Sequence, residues 1–269
     1  MIAFILLGIL VAVLLLWYGA IPRRAALSSA IHPTGANPGQ YFETDSFRLA
    51  TYNIHGGKGT DRIKDLDRTA GVIRGADIAA LQEVHGGWRF NQAQRLGGRL
   101  GLGWMFAPTI RYWYKDGMGN GLLSGFPVKK LQTYRLPSVQ GRRYRVYTVA
   151  EIQIRDSVLS LLFTHLHTRS GRERQLEIVL RQFRSLPLPA VLIGDLNSNQ
   201  GDPVLLKHLP GDATDAIART SVINDVARVD WILTRGLEIK GGGQTPLGVS
   251  DHPCYWVDVG IAPGIQSGG

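Results

Sequence analysis

Three features of the sequence predict an α/β fold of mixed β-sheets covered by helices. Short apolar runs of strand length recur along the chain, segments with helical apolar spacing separate some of them, and the runs repeatedly finish on a carboxylate, an amide or an imidazole. Strands outnumber helices, yet both are long enough to pack as layers, so a purely parallel doubly wound sheet is the poorer description.

Residues 2–21, IAFILLGILVAVLLLWYGAI, contain no charged residue. A helix of about 20 such residues spans the roughly 30 Å hydrocarbon core of a bilayer. Trp17 and Tyr18 fall where an aromatic belt belongs. Residues 1–22 are therefore read as a transmembrane anchor. A cleaved signal peptide cut near SSA at 28–30 competes, but its basic leading region is missing and the apolar run exceeds the usual roughly 7–15 residues. Arg23 and Arg24 succeed the run while no basic side chain precedes it, which by the positive-inside rule places the remainder of the chain in the cytoplasm. Residues 23–44, with prolines, glycines and small polar residues, read as a linker. Residues 45–262 form one domain of about 220 residues, within the ordinary range, and 263–269 are a tail.

Within the domain, SFRLATYNIH (46–55) reads as a strand ending in the glycine turn GGKG. Ile63, Leu66, Ala70 and Ile73 recur at helical spacing with charge on the other face. ADIAALQEV (76–84) is a second strand that runs out onto Gln82 and Glu83. NGLLSGFPV (120–128), RVYTVAEIQI (145–154) and SVLSLLFTHLHT (157–168) are further strands, the last finishing on His165 and His167. Leu176, Val179, Leu180 and Phe183 mark a helix, and AVLIGDLN a strand that stops on Asp195 and Asn197. RVDWILT (228–234) and HPCYWVDV (252–259) close the set, the latter preceded by VSD.

The 269 residues are 44% hydrophobic and carry a formal charge of +9, which favours anionic partners: nucleic acid, acidic phospholipid or a small phosphorylated molecule. Cys254 is the single cysteine, so an intrachain disulfide and a cysteine-based zinc site are both excluded.

Each polar strand-end residue alone has an ordinary explanation. Asn53 before a glycine turn can cap it, Asp230 can pair with a neighbouring Arg, and Asp251 and His252 can turn the chain ahead of Pro253. Their sum is different, because they all fall at the same kind of place. Glu and Asp oxygens suit a hard cation such as Mg²⁺ or Mn²⁺, normally held by a few carboxylates, water and substrate phosphate. Histidines beside such a cation serve the phosphate and the attacking water, and the combination describes metal-assisted phosphate ester hydrolysis.

The ordered blocks TYNIH, LQEV, GNGLLS, THLH, GDLNSN, RVDWIL and SDH resemble the exonuclease-endonuclease-phosphatase superfamily over about residues 46–260. That resemblance implies a four-layer α/β sandwich, two packed mixed β-sheets flanked by helices, and a divalent-metal-dependent phosphoesterase using Mg²⁺ or Mn²⁺. It implies Glu83 as principal metal ligand, with Asn53 and Asp251 near the same ion. Asp195 would orient or deprotonate the attacking water, Asn197 would hold a phosphate oxygen and His165 would contact the scissile phosphate. His252 would bond phosphate and nucleophile, held in its tautomer by Asp230, and Asn120 would lie close to substrate. Every member of this core set is present.

The substrate is expected to be nucleic acid. Basic residues in GRRYR (141–145) and at Arg169, Arg172, Arg174, Arg181 and Arg184 can track a phosphate backbone, or can be a solvated helix face. RYWYKDG (111–117) interleaves aromatic and cationic side chains, suited to stacking on bases or to a lipid interface. A membrane-lipid diesterase or phosphoinositide phosphatase is the alternative, favoured by the anchor. A membrane-tethered binding module without activity is a third reading, opposed by the intact site set.

Overall fold

The computed structural model describes residues 2–27, 46–87, 91–113, 116–138, 144–168, 171–220 and 227–262. Two mixed sheets pack face to face. The first sheet contains β1 (Arg23–Arg24), β2 (Phe47–Asn53), β3 (Ile78–Gly86), β4 (Gly103–Arg111), β5 (Gly117–Ser124), β12 (Leu237–Gln244) and β13 (Tyr255–Ile261), in the order β1-β4-β5-β3-β2-β13-β12. The second contains β6 (Val128–Arg135), β7 (Val146–Ile154), β8 (Ser157–His165), β9 (Ala190–Asp195), β10 (Thr214–Asp215) and β11 (Asp230–Arg235), in the order β10-β11-β9-β8-β7-β6.

Side-chain alternation along the strands creates the layers. Phe47, Leu49, Ile78, Ala80 and Leu122 of the first sheet meet Leu161, Phe163, Val191, Ile193 and Ile232 of the second in a core between the sheets. The opposite parity of the first sheet, Ala50, Tyr52, Ala79 and Leu81, packs on α2 (Leu66–Ile73) and α3 (Gln92–Leu100). The opposite parity of the second, Leu162, Leu192 and Leu233, packs on α4 (Arg172–Ser185) and α5 (Pro203–His208). Helices thus flank both sheets, as expected. A short helix, α6 (Ala216–Arg219), contributes Ala216 and Ile217 to the middle core.

Each sheet contains a parallel pair, β2 with β3 and β8 with β9, while the other pairings are antiparallel. Parallel neighbours need a crossover, supplied here by α2 and by α4. A parallel pair also brings two carboxyl ends to one edge, where α/β sheets place ligands. Asn53 stands beside Gln82 and His165 beside Asp195 in these registers.

Several boundaries differ from the sequence expectation, each for a local reason. The first domain helix starts at Leu66, because Asp65 caps it by accepting from the backbone of Asp67 at 2.8 Å and Arg68 at 3.2 Å, and Ile63 is left exposed. NGLLSGFPV is not one strand: Ser124 ends β5, its hydroxyl tying the Phe126 turn at 3.0 Å, and β6 begins at Val128. The last strand begins at Tyr255 rather than His252. Strands β4 and β12 and helices α3 and α5 have no counterpart in the sequence expectation.

At the N-terminus α1 (Ile2–Ala20) is a 19-residue helix, exposed along its described side chains. Among the described residues no helix is long and apolar enough to cross a membrane. Arg23 and Arg24, at the start of the expected linker, pair with β4 as a sheet edge. Residues 28–45 and the tail 263–269 lie outside the described residues.

Candidate active site

Strand parity explains how polar residues from both sheets meet. Asn53 follows Leu49 and Thr51, Asp195 follows Val191 and Ile193, His165 follows Leu161 and Phe163, and Asp230 precedes Ile232. All four therefore stand on the face between the sheets, one step beyond its apolar core. Asn53 Nδ2 donates to Asp195 Oδ2 at 3.2 Å, joining the two sheets, and both residues are buried.

Asp195 stands in register with His165 on one side and Asp230 on the other. His165 Nε2 lies 3.4 Å from Asp195 Oδ2. The backbone before Asp195 is tightly set, because Gly194 has φ +141° and a Cβ there would fall 2.0 Å from the Thr164 carbonyl oxygen. Only glycine fits that approach. After the strand, Asn197 adopts φ +49°, a left-handed conformation that Asn tolerates. Its amide nitrogen donates to Asp195 Oδ1 at 2.9 Å and its side-chain Nδ2 to the Leu166 carbonyl at 2.9 Å. Arg172 holds the same loop from α4 through the Asn197 carbonyl, Ser198 Oγ and Asp202.

Asp230 Oδ2 and His252 Nδ1 are 2.7 Å apart, within hydrogen-bond distance, so the carboxylate orients the imidazole ring. Asp230 Oδ1 is buried without a hydrogen-bond partner among the described residues. Ser250 ties this corner to the first sheet: its hydroxyl donates to the Asn53 carbonyl at 2.7 Å and lies 3.2 Å from Asp251 Oδ1. Asp251 is exposed, and its Oδ1 is 3.4 Å from His55 Nδ1.

Glu83 sits in a β-bulge. Leu81 pairs with Gly121 and Val84 with Gly119, so Gln82 and Glu83 together oppose Asn120 alone. Glu83 has φ +55°, and the extra residue releases it from the alternation that would point it at the helix layer. Asn120 is buried, with Nδ2 free of any hydrogen-bond partner among the described residues. Asn53, Glu83, Asn120 and Asp251 thus belong to the first-sheet side of one edge, and Asp195, Asn197, His165 and Asp230 to the second-sheet side.

The electrostatics divide the roles. Burial, reinforced by the charge of Asp230, pushes Asp195 up to about 7 against the opposing pull of His252, Asn197 and Asn53. Burial raises Asp230 too, opposed by its His252 bond. Burial would lower His252, but the bond and charge of Asp230, with Asp195 and Asp251, lift it to about 9. His165 is held well below the usual imidazole range by burial and by the positive charge of Arg145. One neutral and one cationic imidazole therefore flank a carboxyl poised near neutrality.

Asp195, Asp230 and His252 bring ligand atoms within 4.8 Å of one another. His252 Nδ1 and Asp230 Oδ2 already lie at hydrogen-bond distance, and a cation between them would break that contact. The donor chemistry does fit a hard cation at this edge, because the surplus acceptor Asp230 Oδ1 and the carboxylates are oxygens.

Three further residues serve the site in ways the sequence reading did not assign. Arg145 belongs to the basic run GRRYR, but it is buried, its Nε donating to the Leu166 carbonyl at 3.3 Å and a terminal nitrogen lying 3.5 Å from His165 Nε2. Ser250 acts on the Asn53 carbonyl and beside Asp251, and Arg172 on the Asn197 carbonyl, Ser198 Oγ and Asp202, partners distant in the sequence or brought close only by the fold. The helical arginines expected to track a phosphate backbone are mostly engaged: Arg174 and Arg181 pair with Glu177 at 2.7 and 2.6 Å, and Arg184 donates to the His208 carbonyl. Arg169 and residues 141–143 lie outside the described residues.

Two packed mixed sheets bearing a carboxyl, imidazole and amide cluster at their joint edge define a class of hydrolase acting on phosphate ester bonds. The chain belongs to the Endonuclease/Exonuclease/phosphatase family, whose model matches residues 50–252. Among solved structures, an endonuclease/exonuclease/phosphatase from Beutenbergia cavernae is 19% identical with TM-score 0.65, covering 81% of this chain and 72% of its own. TDP2 of D. rerio, in a complex with a single-strand DNA product, is 18% identical with TM-score 0.63, covering 80% of this chain and 99% of its own. A family protein from Bacteroides thetaiotaomicron is 15% identical with TM-score 0.64, covering 83% and 98%. At these identities the likeness is one of fold. No curated protein matches the chain significantly.

Proposed function

We propose that the protein hydrolyses phosphodiester bonds by in-line attack of water, with a divalent cation, Mg²⁺ or Mn²⁺, held by Glu83, Asn53 and Asp251. The observation that carries this reading is the Asn53–Asp195 bond at 3.2 Å, which joins the cation side of the site to the Asp230–His252 pair across two sheets. When bound, the cation supplies Lewis-acid stabilisation of phosphoryl charge. Asp195, raised to about 7, accepts the proton of the attacking water, since a general base works best near the operating pH. His252, cationic below about 9, faces the charge developing on the phosphoryl oxygens. Neutral His165 and the Asn197 amide hold non-bridging oxygens, and the unpartnered Asn120 Nδ2 offers a further donor.

Nucleic acid is the substrate class we favour, supported by the net charge of +9 and by the D. rerio TDP2 structure with single-strand DNA. A lipid phosphodiester is the second reading, and the exposed apolar helix α1 is what favours it, as a cytoplasmic domain's anchor. The deciding measurement is a panel of plasmid, single-stranded RNA, sphingomyelin, phosphatidylinositol phosphates and a chromogenic phosphodiester, each with Mg²⁺ or Mn²⁺. EDTA and Asp195→Ala are the controls. Cleavage of nucleic acid is expected; hydrolysis of lipid alone reverses the choice, and activity that survives both controls removes the mechanism.

A further inference from the structure

The helix α1 and the catalytic edge leave the same end of the first sheet. Strand β5 runs antiparallel to both β3 and β4, so β4 ends at Arg111 on the side where β3 carries Glu83. Strand β1 is antiparallel to β4, with Arg23 opposite Arg111 and Arg24 opposite Ile110, so the chain enters the sheet from that same side. Beyond the strand end, the Trp113 amide donates to the Gly19 carbonyl at 3.3 Å, and the Trp113 and Tyr18 rings meet edge to face at 6.3 Å. Arg23 lies over the Tyr18 ring and donates to the Tyr18 carbonyl at 3.2 Å. Ala25 continues the attachment by donating to the Thr109 carbonyl at 3.1 Å. The helix is therefore joined to the domain by a strand and an aromatic contact, which fix its direction relative to the catalytic edge.

The chemistry of α1 dictates its covering. It is apolar on every face over 19 residues, with Phe4 81% and Leu16 61% exposed. A helix apolar all round requires an apolar environment on all sides, and among the described residues the domain touches only its carboxyl end, at Tyr18 and Gly19. Its carboxyl end carries Trp17, Tyr18 and Arg23, the residue types that settle at headgroups.

We infer that the partner of this surface is a lipid bilayer, and that the catalytic edge faces the bilayer, with Trp113 and Arg111 at the headgroup layer. The inference rests on the anchor reading of α1. Ala107 lies opposite Asn120 at the level of the Glu83 bulge, and Arg111 is four residues further along β4. At about 3.3 Å per residue the site then lies on the order of 13 Å below Arg111 along the strands. Substrate enters from the space between the domain and the headgroups.

The full chain reconstituted in phosphatidylcholine vesicles tests this with single labels, since the native Cys254 is buried. An environment-sensitive fluorophore is placed on Val13→Cys, Trp113→Cys, Arg111→Cys and Arg74→Cys. Val13 lies within α1, and Arg74 is exposed near the start of β3, at the opposite end of the sheet. The expected result is quenching by spin-labelled lipid at positions 13, 113 and 111, with an aqueous signal at 74. Quenching at 13 with aqueous signals at 113 and 111 leaves the anchor standing and overturns the orientation. Absence of quenching at 13, whether the chain stays monomeric or pairs through α1, overturns the anchor reading and the inference with it.

Discussion

The two halves of the site are built by the same strand logic but sit in different media. The second-sheet half, Asp195, His165 and Asp230, is buried, and its titrations are displaced by burial and by one another. The carboxylates of the first-sheet half open outward, Asp251 exposed and Glu83 half-buried on a bulge that breaks the strand's alternation, while its amides Asn53 and Asn120 are buried. Low dielectric strengthens charge interactions and makes an unpaired charge costly. The first medium suits proton transfer, and the second leaves room for a hydrated cation. Chemistry that needs both is placed where the two sheets meet.

The comparison breaks most directly at Asp195. Asp195→Ala is expected to lose at least about a hundredfold in turnover, the scale for a general base or charge-stabilising group, and added cation should not restore it. Glu83→Ala should lose comparable activity at ordinary Mg²⁺ but recover part of it when Mn²⁺ is raised in steady-state assays, because cation affinity rather than proton transfer is damaged. Equal rescue of both variants would dissolve the distinction between the halves.

A pH profile sharpens it. The rate should fall below about 7 as Asp195 takes up a proton, and above about 9 as His252 loses one. Asp230→Asn removes the main support of the His252 proton, so the alkaline limb should move to lower pH while the acid limb persists.

The same pair bears on stability. His252 is raised from 6.5 to about 9, so its contribution is fully present below 6.5 and is lost as pH rises toward 9. Chelated protein monitored by thermal melts should lose about 5 °C across that window, and His252→Gln should flatten the decline. Asp195, raised from 3.8 to about 7, acts in the same direction between those values, because the folded state there binds more protons than the unfolded one.

The smallest effect is expected from Arg172→Ala. This side chain touches the Asn197 carbonyl and Asp202 from behind, so a loss of about tenfold in turnover with little change in KM is expected, on the scale of a supporting residue. Restoration by Arg172→Lys in part would mark it as a positioning residue.

The strand-end carboxylates, amides and imidazoles were legible in the sequence because alternation is a local property: an apolar run that stops on Asp195 or Asn53 announces its edge. The family blocks then supplied roles for them. The bulge at Glu83 was not legible, since it depends on Gly119 and Gly121 of a strand more than thirty positions away. Strand β12 was hidden because LEIKGGGQ alternates apolar and polar residues only over its first four positions before running into glycines, and it borrows its order from β13. Arg145 looks like surface charge because nothing local reveals that its neighbours bury it. Its role as the cation beside His165 exists only after β7 and β8 have paired.

The link between Asn53 and Asp195 also makes catalysis a gauge of how the two sheets are seated. Their mutual alignment depends on side-chain interdigitation, whereas each sheet is internally held by its own ladder. Modest denaturant or an overpacked residue at the seam should therefore shift one sheet on the other and extinguish turnover while circular dichroism still reports native strands.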